Sequence, residues 1–199
     1  MTTYKIGYFI GSLASNSINR ILAKALIKLA PDDLSFTEIP IGNLPLYSPD
    51  YDADYPAEGQ ALKDAIAASD GILFISPEYN RSIPGALKNA IDWGSRPWGT
   101  NSFARKPTGI IGTSPGGIGT AVMQSSMRSV LSFLDAPQLN SPEGYIQFSP
   151  DVFGADGEVK NDGTADFLRH YMSEYDAFVQ RVLASAPGHI GDEDPYRRR

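Results

Sequence analysis

The sequence predicts a single α/β domain in which a parallel β-sheet carries helices on both faces. Apolar segments typical of strands occur five times along the 199 residues, and they alternate with stretches whose apolar residues lie at helical spacing. One of these segments, Gly71–Ile75, is uninterrupted, as in strands that are buried on both faces. Chains that alternate strand and helix in this way form parallel sheets with right-handed crossovers.

In the first half of the chain, a short apolar run at residues 6–10 predicts the first strand, and residues 18–29 have apolar side chains at helical spacing. A turn separates this helix from a weakly alternating second strand at residues 34–39. The next segment, residues 41–55, contains Gly, Pro and Asp without any period. It predicts a long loop, which in compact domains is commonly functional. A helix at residues 62–68 then leads to the uninterrupted third strand.

In the second half, Ser82 is predicted to cap a helix whose first turn holds Pro84 and which ends before Pro97. The apolar residues of 108–112 predict a short fourth strand. The remaining predicted elements are a last strand at 145–148, a closing helix at 164–183 and, before them, a helix with inward side chains at Met123, Met127, Val130, Leu131 and Leu134.

The junction between the first strand and the first helix, residues 11–19, is predicted to bind an anion, and we call it the phosphate loop. The first N–H groups of a helix have no partner within the helix, and the helix dipole favours negative charge there. Four side chains of the loop, those of Ser12, Ser15, Ser17 and Asn19, add short hydrogen-bonding groups. A phosphate is the anion that this pattern favours.

The alternative for this loop is an ordinary helix cap from Ser15, Asn16 or Ser17. One cap needs one such residue, whereas the loop has four polar side chains and Gly11. The loop has neither the Gly-Lys-Ser/Thr ending of a nucleoside triphosphate loop nor the Gly-x-Gly-x-x-Gly of a dinucleotide loop. Three or four hydrogen bonds to a charged group, at roughly 1.5–3 kcal/mol each, approach the ~8 kcal/mol of micromolar binding. These magnitudes favour a terminal monophosphate.

Two further polar loops follow the third and fourth strands, and both are predicted to face a flat ring. Pro77 has a fixed φ and no N–H, so it stiffens a turn whose next amides, of residues 78–80, can point at the rim of a heteroaromatic ring. Tyr79 adds an aromatic ring there. After the fourth strand, Gly116 and Gly117 remove side chains where a ring would need close approach to the backbone.

Composition excludes several classes of protein. A net charge of −6 and a pI near 4.9 argue against nucleic acid as a partner, because such binding needs a basic face. The chain has no cysteine, so disulfides and thiolate chemistry are excluded. No apolar run approaches the ~18 residues of a membrane span, and a cytoplasmic protein is expected. The domain is predicted to cover residues 1–187, with a disordered tail at residues 188–199.

Two other patterns in the sequence are typical of different chemistry. Asp50, Asp52 and Asp54 alternate as calcium ligands do, but the Gly and Glu that an EF-hand loop needs are missing. Ser114 lies in a Gly-x-Ser-x-Gly pattern typical of a serine hydrolase, yet the following residue is Pro115, which has no N–H for an oxyanion hole. Solvated carboxylates and a non-hydrolytic loop are therefore expected.

Several motifs together resemble the NAD(P)H-dependent FMN reductases, a family that includes quinone and chromate reductases. The resemblance runs from about residue 6 to residue 142. It is carried by Gly11-Ser12-Leu13 with Ser17 and Asn19, by Pro45-Leu46-Tyr47, by Pro77-Glu78-Tyr79-Asn80 with Ser82 and Pro84-Gly85, by Leu87-Lys88-Asn89-Ala90-Ile91-Asp92-Trp93 and by Ser95-Arg96.

This resemblance implies a flavodoxin-like fold with five strands in the order 2-1-3-4-5, and FMN as the cofactor. Members of the family are usually homodimers or homotetramers with the flavin near an interface. Many have Arg in place of Ala14, and an aromatic residue in place of Arg81. The FMN-binding residues expected are Ser12, Leu13, Ser15, Ser17, Ile18 and Asn19 for the phosphate, and Pro77, Glu78, Tyr79, Asn80, Arg81, Ser114, Gly116 and Gly117 for the ring.

The expected activity is an NAD(P)H-dependent oxidoreductase with ping-pong kinetics. Hydride would pass from NADH or NADPH to FMN, and two electrons then to a small-molecule acceptor such as a quinone or a flavin. No catalytic acid or base from the protein is expected. The alternative is a flavodoxin-like electron carrier without NAD(P)H turnover, which would not need the roomy loops predicted at residues 41–55 and 97–104.

Overall fold

The computed structural model describes residues 3–185, which contain a five-stranded sheet and five α-helices. All neighbouring strands of the sheet are parallel, and their order is β2-β1-β3-β4-β5. The elements are β1 Tyr4–Ile10, α1 Ile18–Leu29, β2 Leu34–Glu38, α2 Ala57–Ala67, β3 Gly71–Ile75, α3 Gly85–Gly94, β4 Thr108–Ser114, α4 Ala121–Phe133, β5 Gly144–Gln147 and α5 Asp162–Ser185. The predicted fold class and strand order are confirmed.

Two apolar layers hold the helices against the sheet. On one face, α1 and α5 pack against side chains such as Ile6 and Leu73. On the other face, α2, α3 and α4 pack against side chains such as Phe9 and Phe74, whose rings stack at 5.2 Å. Every residue of β3 is buried, as its uninterrupted apolar sequence predicted.

The order of the strands brings three loops to one edge of the sheet. β2 lies on one side of β1 and β3 on the other, so the winding direction reverses between β1 and β3. Hydrogen bonds continue the ladder just past the strand ends, since Gly11 N–H donates to the Ile75 carbonyl at 2.9 Å and Ser76 N–H donates to the Ile111 carbonyl at 3.1 Å. The loops after β1, β3 and β4 therefore leave the sheet side by side, which is where open α/β sheets bind ligands.

The start of α3 differs from the prediction that Ser82 caps it. The helix begins at Gly85, and Pro84 occupies the N-cap position. Ser82 instead pairs with Tyr79 in an isolated antiparallel bridge, in which each N–H donates to the carbonyl of the other, at 3.0 and 3.2 Å. The residues before α3 thus form a turn of their own, and the backbone of Ser82 is committed to it.

The bounds of several other elements also differ, most of all at the start of α2. α2 begins at Ala57, five residues before the predicted start at residue 62. The sequence pattern missed the first turn because that turn has no apolar period. The loop at residues 97–104 follows α3 and precedes the first residue of β4, so it lies at the amino edge of the sheet. Within one chain this edge is opposite the one where the loops after β1, β3 and β4 lie, and the expectation that the loop gives nicotinamide room stays a prediction. The predicted tail at residues 188–199 lies outside the described residues.

Candidate functional site

The phosphate loop presents free backbone donors at the carboxyl end of β1. The N–H groups of Ser15, Asn16, Ile18 and Asn19 have no hydrogen-bond acceptor among residues 3–185. Ser17 occupies the N-cap position of α1, but its hydroxyl makes no capping hydrogen bond. The interpretation of this loop as a simple helix cap therefore has no support in the geometry, and the helix start remains able to bind an anion.

Ser12 is the residue of the phosphate loop whose side chain approaches the loop after β3. Its hydroxyl accepts a hydrogen bond from Ala14 N–H at 3.3 Å and lies 3.5 Å from the hydroxyl of Tyr79. Gly11 lets the two loops come this close, because a Cβ at Gly11 would collide with the side chain of Ser76. Leu13, by contrast, projects outward and is largely exposed.

Asn19 uses its side chain for a purpose that sequence reasoning missed. The side chain is fully buried, and its amide Nδ2 donates to the Thr113 carbonyl while Oδ1 accepts from Thr113 N–H, both at 3.0 Å. Both polar atoms are therefore committed to β4. Asn19 can offer a ligand only its backbone N–H, and its side chain fixes the start of α1 against the strand that carries the third loop.

The loop after β3 forms a tight turn between Tyr79 and Ser82. Asn80 and Arg81 both have a positive φ, of 51° and 61°, which is the backbone of a type I′ turn. Tyr79 N–H donates within this turn, so the expectation that it points at a ligand is not met. The N–H groups of Glu78, Asn80 and Arg81 have no acceptor in the part of the chain that the structure describes.

Glu78 fastens this loop to the first turn of α4. Its Oε2 accepts hydrogen bonds from the backbone N–H groups of Val122 and Met123, at 3.0 and 2.9 Å. Its Oε1 accepts from Arg81 Nη1 at 3.3 Å. The carboxylate thereby satisfies free donors of a helix N-terminus and neutralises the positive end of the helix dipole. The loops after β3 and β4 are held at a fixed spacing as a result.

The loop after β4 has an open backbone surface. Ser114 Oγ accepts from Gly116 N–H at 3.1 Å, and Gly119, with φ of 65°, donates to the Gly116 carbonyl at 3.0 Å. A Cβ at Gly117 would meet no atom within 4 Å, and one at Gly116 would meet only Ser114 Oγ, at 3.6 Å. The protein leaves space above these two glycines that a flat group can occupy.

The alternative chemistries find little support at these loops. For a serine hydrolase, Ser114 would need a histidine partner, but its Oγ accepts a hydrogen bond from Gly116 N–H and His170 is exposed on α5. The other histidine, His189, lies outside the described residues. Asp50 and Asp52 accept hydrogen bonds from the hydroxyls of Ser48 and Tyr47. Residues 3–185 contain no group of three or more His, Cys, Asp or Glu that could hold a metal ion.

The arrangement as a whole fits a monophosphate that carries a flat ring. Free N–H groups at the start of α1 suit the phosphate, and the free amides after β3 and the open glycines after β4 suit the ring. The sequence located these loops correctly but missed the contacts of Glu78 and Asn19. Their partners are 44 and 94 positions away along the chain, so no local signal in the sequence could have shown them.

The fold is that of a flavodoxin-like protein, and its three polar loops meet at the topological switch point of the sheet. A flavodoxin from Pseudomonas aeruginosa has the same fold, with a TM-score of 0.58 at 14% identity over 88% of this chain and 99% of its own. Residues 4–151 match the model of the family described as NADPH-dependent FMN reductase, and the chain belongs to that family. It is therefore an NAD(P)H-dependent oxidoreductase that uses FMN, as the resemblance implied.

Individual relatives agree with this assignment. A protein of Burkholderia sp. named 2-hydroxy-1,4-benzoquinone reductase is 49% identical over 176 residues, which are 88% of this chain and 96% of the relative. A quinone reductase of Pseudomonas putida is 42% identical over 89% of this chain and 95% of its own. The solved structure of FerB, a flavoenzyme NAD(P)H:acceptor oxidoreductase from Paracoccus denitrificans, has a TM-score of 0.87 at 42% identity, over 90% of this chain and 98% of that one.

No helix of residues 3–185 combines the length and the apolar character needed to cross a membrane.

Proposed function

We propose that this protein is a quinone reductase that holds FMN at the carboxyl edge of its sheet. The observation that carries the proposal is the set of four unpartnered N–H groups at the start of α1, those of Ser15, Asn16, Ile18 and Asn19. A quinone is proposed as the acceptor because the two relatives above are named as reductases of quinones. Free flavin and chromate are further acceptors that the same site could serve.

The FMN phosphate is assigned to the backbone donors of the phosphate loop and to the hydroxyls of Ser12 and Ser17. No basic side chain occurs in residues 11–19. The next residue, Arg20, is already paired, because its guanidinium donates to both carboxylate oxygens of Glu38 at 2.7 and 2.9 Å. The phosphate is therefore held by amides, hydroxyls and the dipole of α1, without a cationic side chain.

The isoalloxazine ring is assigned to the loops after β3 and β4. The unpartnered N–H groups of Glu78, Asn80 and Arg81 can donate to the polar atoms at the rim of the ring. Gly116 and Gly117 leave room for the ring itself, while the half-exposed side chain of Tyr79 lies next to the phosphate loop, where the two parts of the cofactor would join.

When bound, FMN supplies the chemistry, which is acceptance of a hydride from NAD(P)H and delivery of two electrons to the acceptor. The overall reaction consumes NAD(P)H, one proton and a quinone, and it yields NAD(P)⁺ and a hydroquinone. The protein contributes position, because hydride transfer needs roughly 3–3.5 Å between the reacting atoms. Glu78 and Asn19 serve this role indirectly, since they fix the loops relative to one another.

The experiment is to purify the protein, release its flavin by boiling, and measure steady-state oxidation of NADH and of NADPH with a panel of quinones. We expect one FMN per chain and parallel double-reciprocal plots, which indicate ping-pong kinetics. A colourless protein that cannot be loaded with FMN would contradict the proposal. FMN binding with no oxidation of NAD(P)H beyond that of free FMN would instead indicate an electron carrier of the flavodoxin kind.

We propose further that the protein is a cytoplasmic homodimer or homotetramer. Two large aromatic side chains support an interface, because Trp98 and Phe133 are 65% and 72% exposed and their ring centroids lie 6.5 Å apart. Exposed apolar patches of this kind commonly mark contacts between proteins. Light scattering is expected to give the mass of two or four 21.5 kDa chains, and the mass of one chain would contradict the proposal. The use of NAD(P)H as reductant fits the cytoplasm.

A further inference from the structure

The three loops of the site contain only two charged side chains, Glu78 and Arg81. Glu78 is used within the protein, since its side chain is 10% exposed and both of its oxygens accept hydrogen bonds. Arg81, by contrast, keeps most of its hydrogen-bond donors without a partner among residues 3–185. Its side chain is 63% exposed, and the contact of its Nη1 with Glu78 at 3.3 Å is the one hydrogen bond that the guanidinium makes among residues 3–185.

The backbone holds Arg81 at a defined place at the rim of the site. It occupies the second central position of the type I′ turn, with φ of 61°, where glycine or asparagine is more favourable. The turn is closed by the two hydrogen bonds between Tyr79 and Ser82. Glu78 accepts from Nη1 of the guanidinium, and the other guanidinium N–H donors of Arg81 have no acceptor among residues 3–185.

We infer that Arg81 binds an ionised oxygen of the electron acceptor, so that the enzyme prefers acidic hydroxyquinones to neutral quinones. This inference rests on the proposed function. A 2-hydroxy-1,4-quinone is a vinylogous carboxylic acid, which is ionised at neutral pH with its charge shared between two oxygens. A guanidinium presents paired donors that match such a group. Because the chain has a net charge of −6, a local cation is needed to attract an anionic substrate.

The charge balance of the reaction makes this contact useful for turnover. The 2-hydroxy-1,4-benzoquinone anion takes a hydride equivalent from NAD(P)H and two protons from water, and benzene-1,2,4-triol and NAD(P)⁺ are formed. The product is neutral near pH 7. Arg81 therefore attracts the substrate more strongly than the product, and the product leaves without a charge to hold it.

The test compares Arg81→Gln with the wild-type holoenzyme. We expect the ratio of kcat/KM for 2-hydroxy-1,4-benzoquinone to kcat/KM for 1,4-benzoquinone to fall about tenfold. The dissociation constant of the oxidised hydroxyquinone from the oxidised holoenzyme, measured by fluorescence quenching, should rise by a similar factor. Arg81→Lys should give intermediate values, because it keeps the charge but loses the paired donors.

Arg105→Gln is a matched control. Arg105 also has a positive φ, of 62°, a side chain that is 44% exposed and a carboxylate neighbour, Asp135 at 3.9 Å, but it lies just before β4 at the opposite edge of the sheet. The control should leave both the ratio and the dissociation constant unchanged. An equal change in both variants would show that only the overall charge matters, and it would overturn the inference.

Two other results would also overturn it. One is an unchanged ratio and dissociation constant in Arg81→Gln. The other is a loss that follows the nucleotide, with KM for NADPH raised relative to KM for NADH, which would assign Arg81 to the 2′-phosphate. If the wild type turns over neither quinone, the proposed function fails, while the dissociation constant of the hydroxyquinone still decides the role of Arg81.

Discussion

At the scale of single residues, Glu78 decides how two loops of the site are held. Its carboxylate binds the free N–H groups of Val122 and Met123 and so supplies α4 with the negative charge that its own first turn lacks. A carboxylate at a helix N-terminus contributes typically 0.3–1 kcal/mol, and up to ~2 kcal/mol when partly buried. The hydrogen bonds to Val122 and Met123, and with them the position of the turn between Tyr79 and Ser82, depend on this carboxylate.

We therefore predict that Glu78→Gln lowers the free energy of unfolding by about 1–2 kcal/mol, because the amide keeps one acceptor but loses the charge. FMN affinity should fall as well, since the loops after β3 and β4 are no longer held at the same spacing. Urea unfolding of the apoprotein and fluorescence titration with FMN measure the two effects. Glu174→Gln, an exposed carboxylate in the interior of α5, is the control and should change neither.

The sequence indicated which loops lie at this edge of the sheet, but not what each side chain contacts there. The polar character of Asn19 led to the expectation that its side chain binds phosphate, whereas the side chain is buried against Thr113. Glu78 was expected to line the ring, and its backbone still can, but its carboxylate is committed to α4. In both cases the partner belongs to another element, and only the folded sheet brings the two together.

At the scale of elements, the period of the apolar residues predicted the bounds of those strands and helices that apolar side chains define. The uninterrupted run of β3 and the helical spacing of α1 gave the observed bounds, because burial on the sheet requires those side chains. The start of α3 was misplaced because Asn80 and Arg81 form a turn without glycine, so the usual signal of a type I′ turn was absent. The edge at which the loop at residues 97–104 lies follows from topology rather than from its composition.

The N-terminus of α1 is an element whose role can be tested with one substitution. Ile18 is its first helical residue, where proline is tolerated because the N–H has no helical partner. The extended ψ of 124° at Ser17 also suits a following proline. We predict that Ile18→Pro keeps the fold but removes one donor to the FMN phosphate, which raises the dissociation constant of FMN roughly tenfold or more, as expected for a hydrogen bond to a charged group.

Ala57→Pro provides the control for this substitution. Ala57 is the first residue of α2, and Pro56 before it has an equally extended ψ of 151°. The control should leave the dissociation constant of FMN unchanged. If Ile18→Pro binds FMN as tightly as the control does, while circular dichroism shows both variants folded, the assignment of the phosphate to the start of α1 is wrong.

At the scale of the whole molecule, the strand order joins the separate parts of the site. The alternation of strands and helices predicted a parallel sheet with an apolar layer on each face, whereas the strand order, with its reversal of winding between β1 and β3, was implied by the family resemblance. This reversal places the N-termini of α1 and α4 and the turn at Tyr79 at one edge. A ligand that touches all three loops contacts only the folded state.

This coupling predicts that FMN stabilises the whole domain and that the phosphate carries much of the effect. A ligand that binds only the folded state, at a free concentration 100 times its dissociation constant, adds about 2.7 kcal/mol. For a chain of this size each kcal/mol raises the midpoint of thermal unfolding by roughly 2–4 °C. Differential scanning fluorimetry of the apoprotein should therefore show a shift of several degrees with FMN.

Riboflavin separates the contribution of the phosphate from that of the ring, since it has the same ring and no phosphate. At equal concentration it should raise the midpoint much less than FMN does, because the donors of Ser15, Asn16, Ile18 and Asn19 then have no anion to bind. The difference between the two ligands should disappear in Ile18→Pro if that donor dominates, and shrink if the donors share the phosphate. Equal shifts with riboflavin and FMN in the wild type would mean that the ring alone holds the cofactor, and that the free N–H groups at the start of α1 have another purpose.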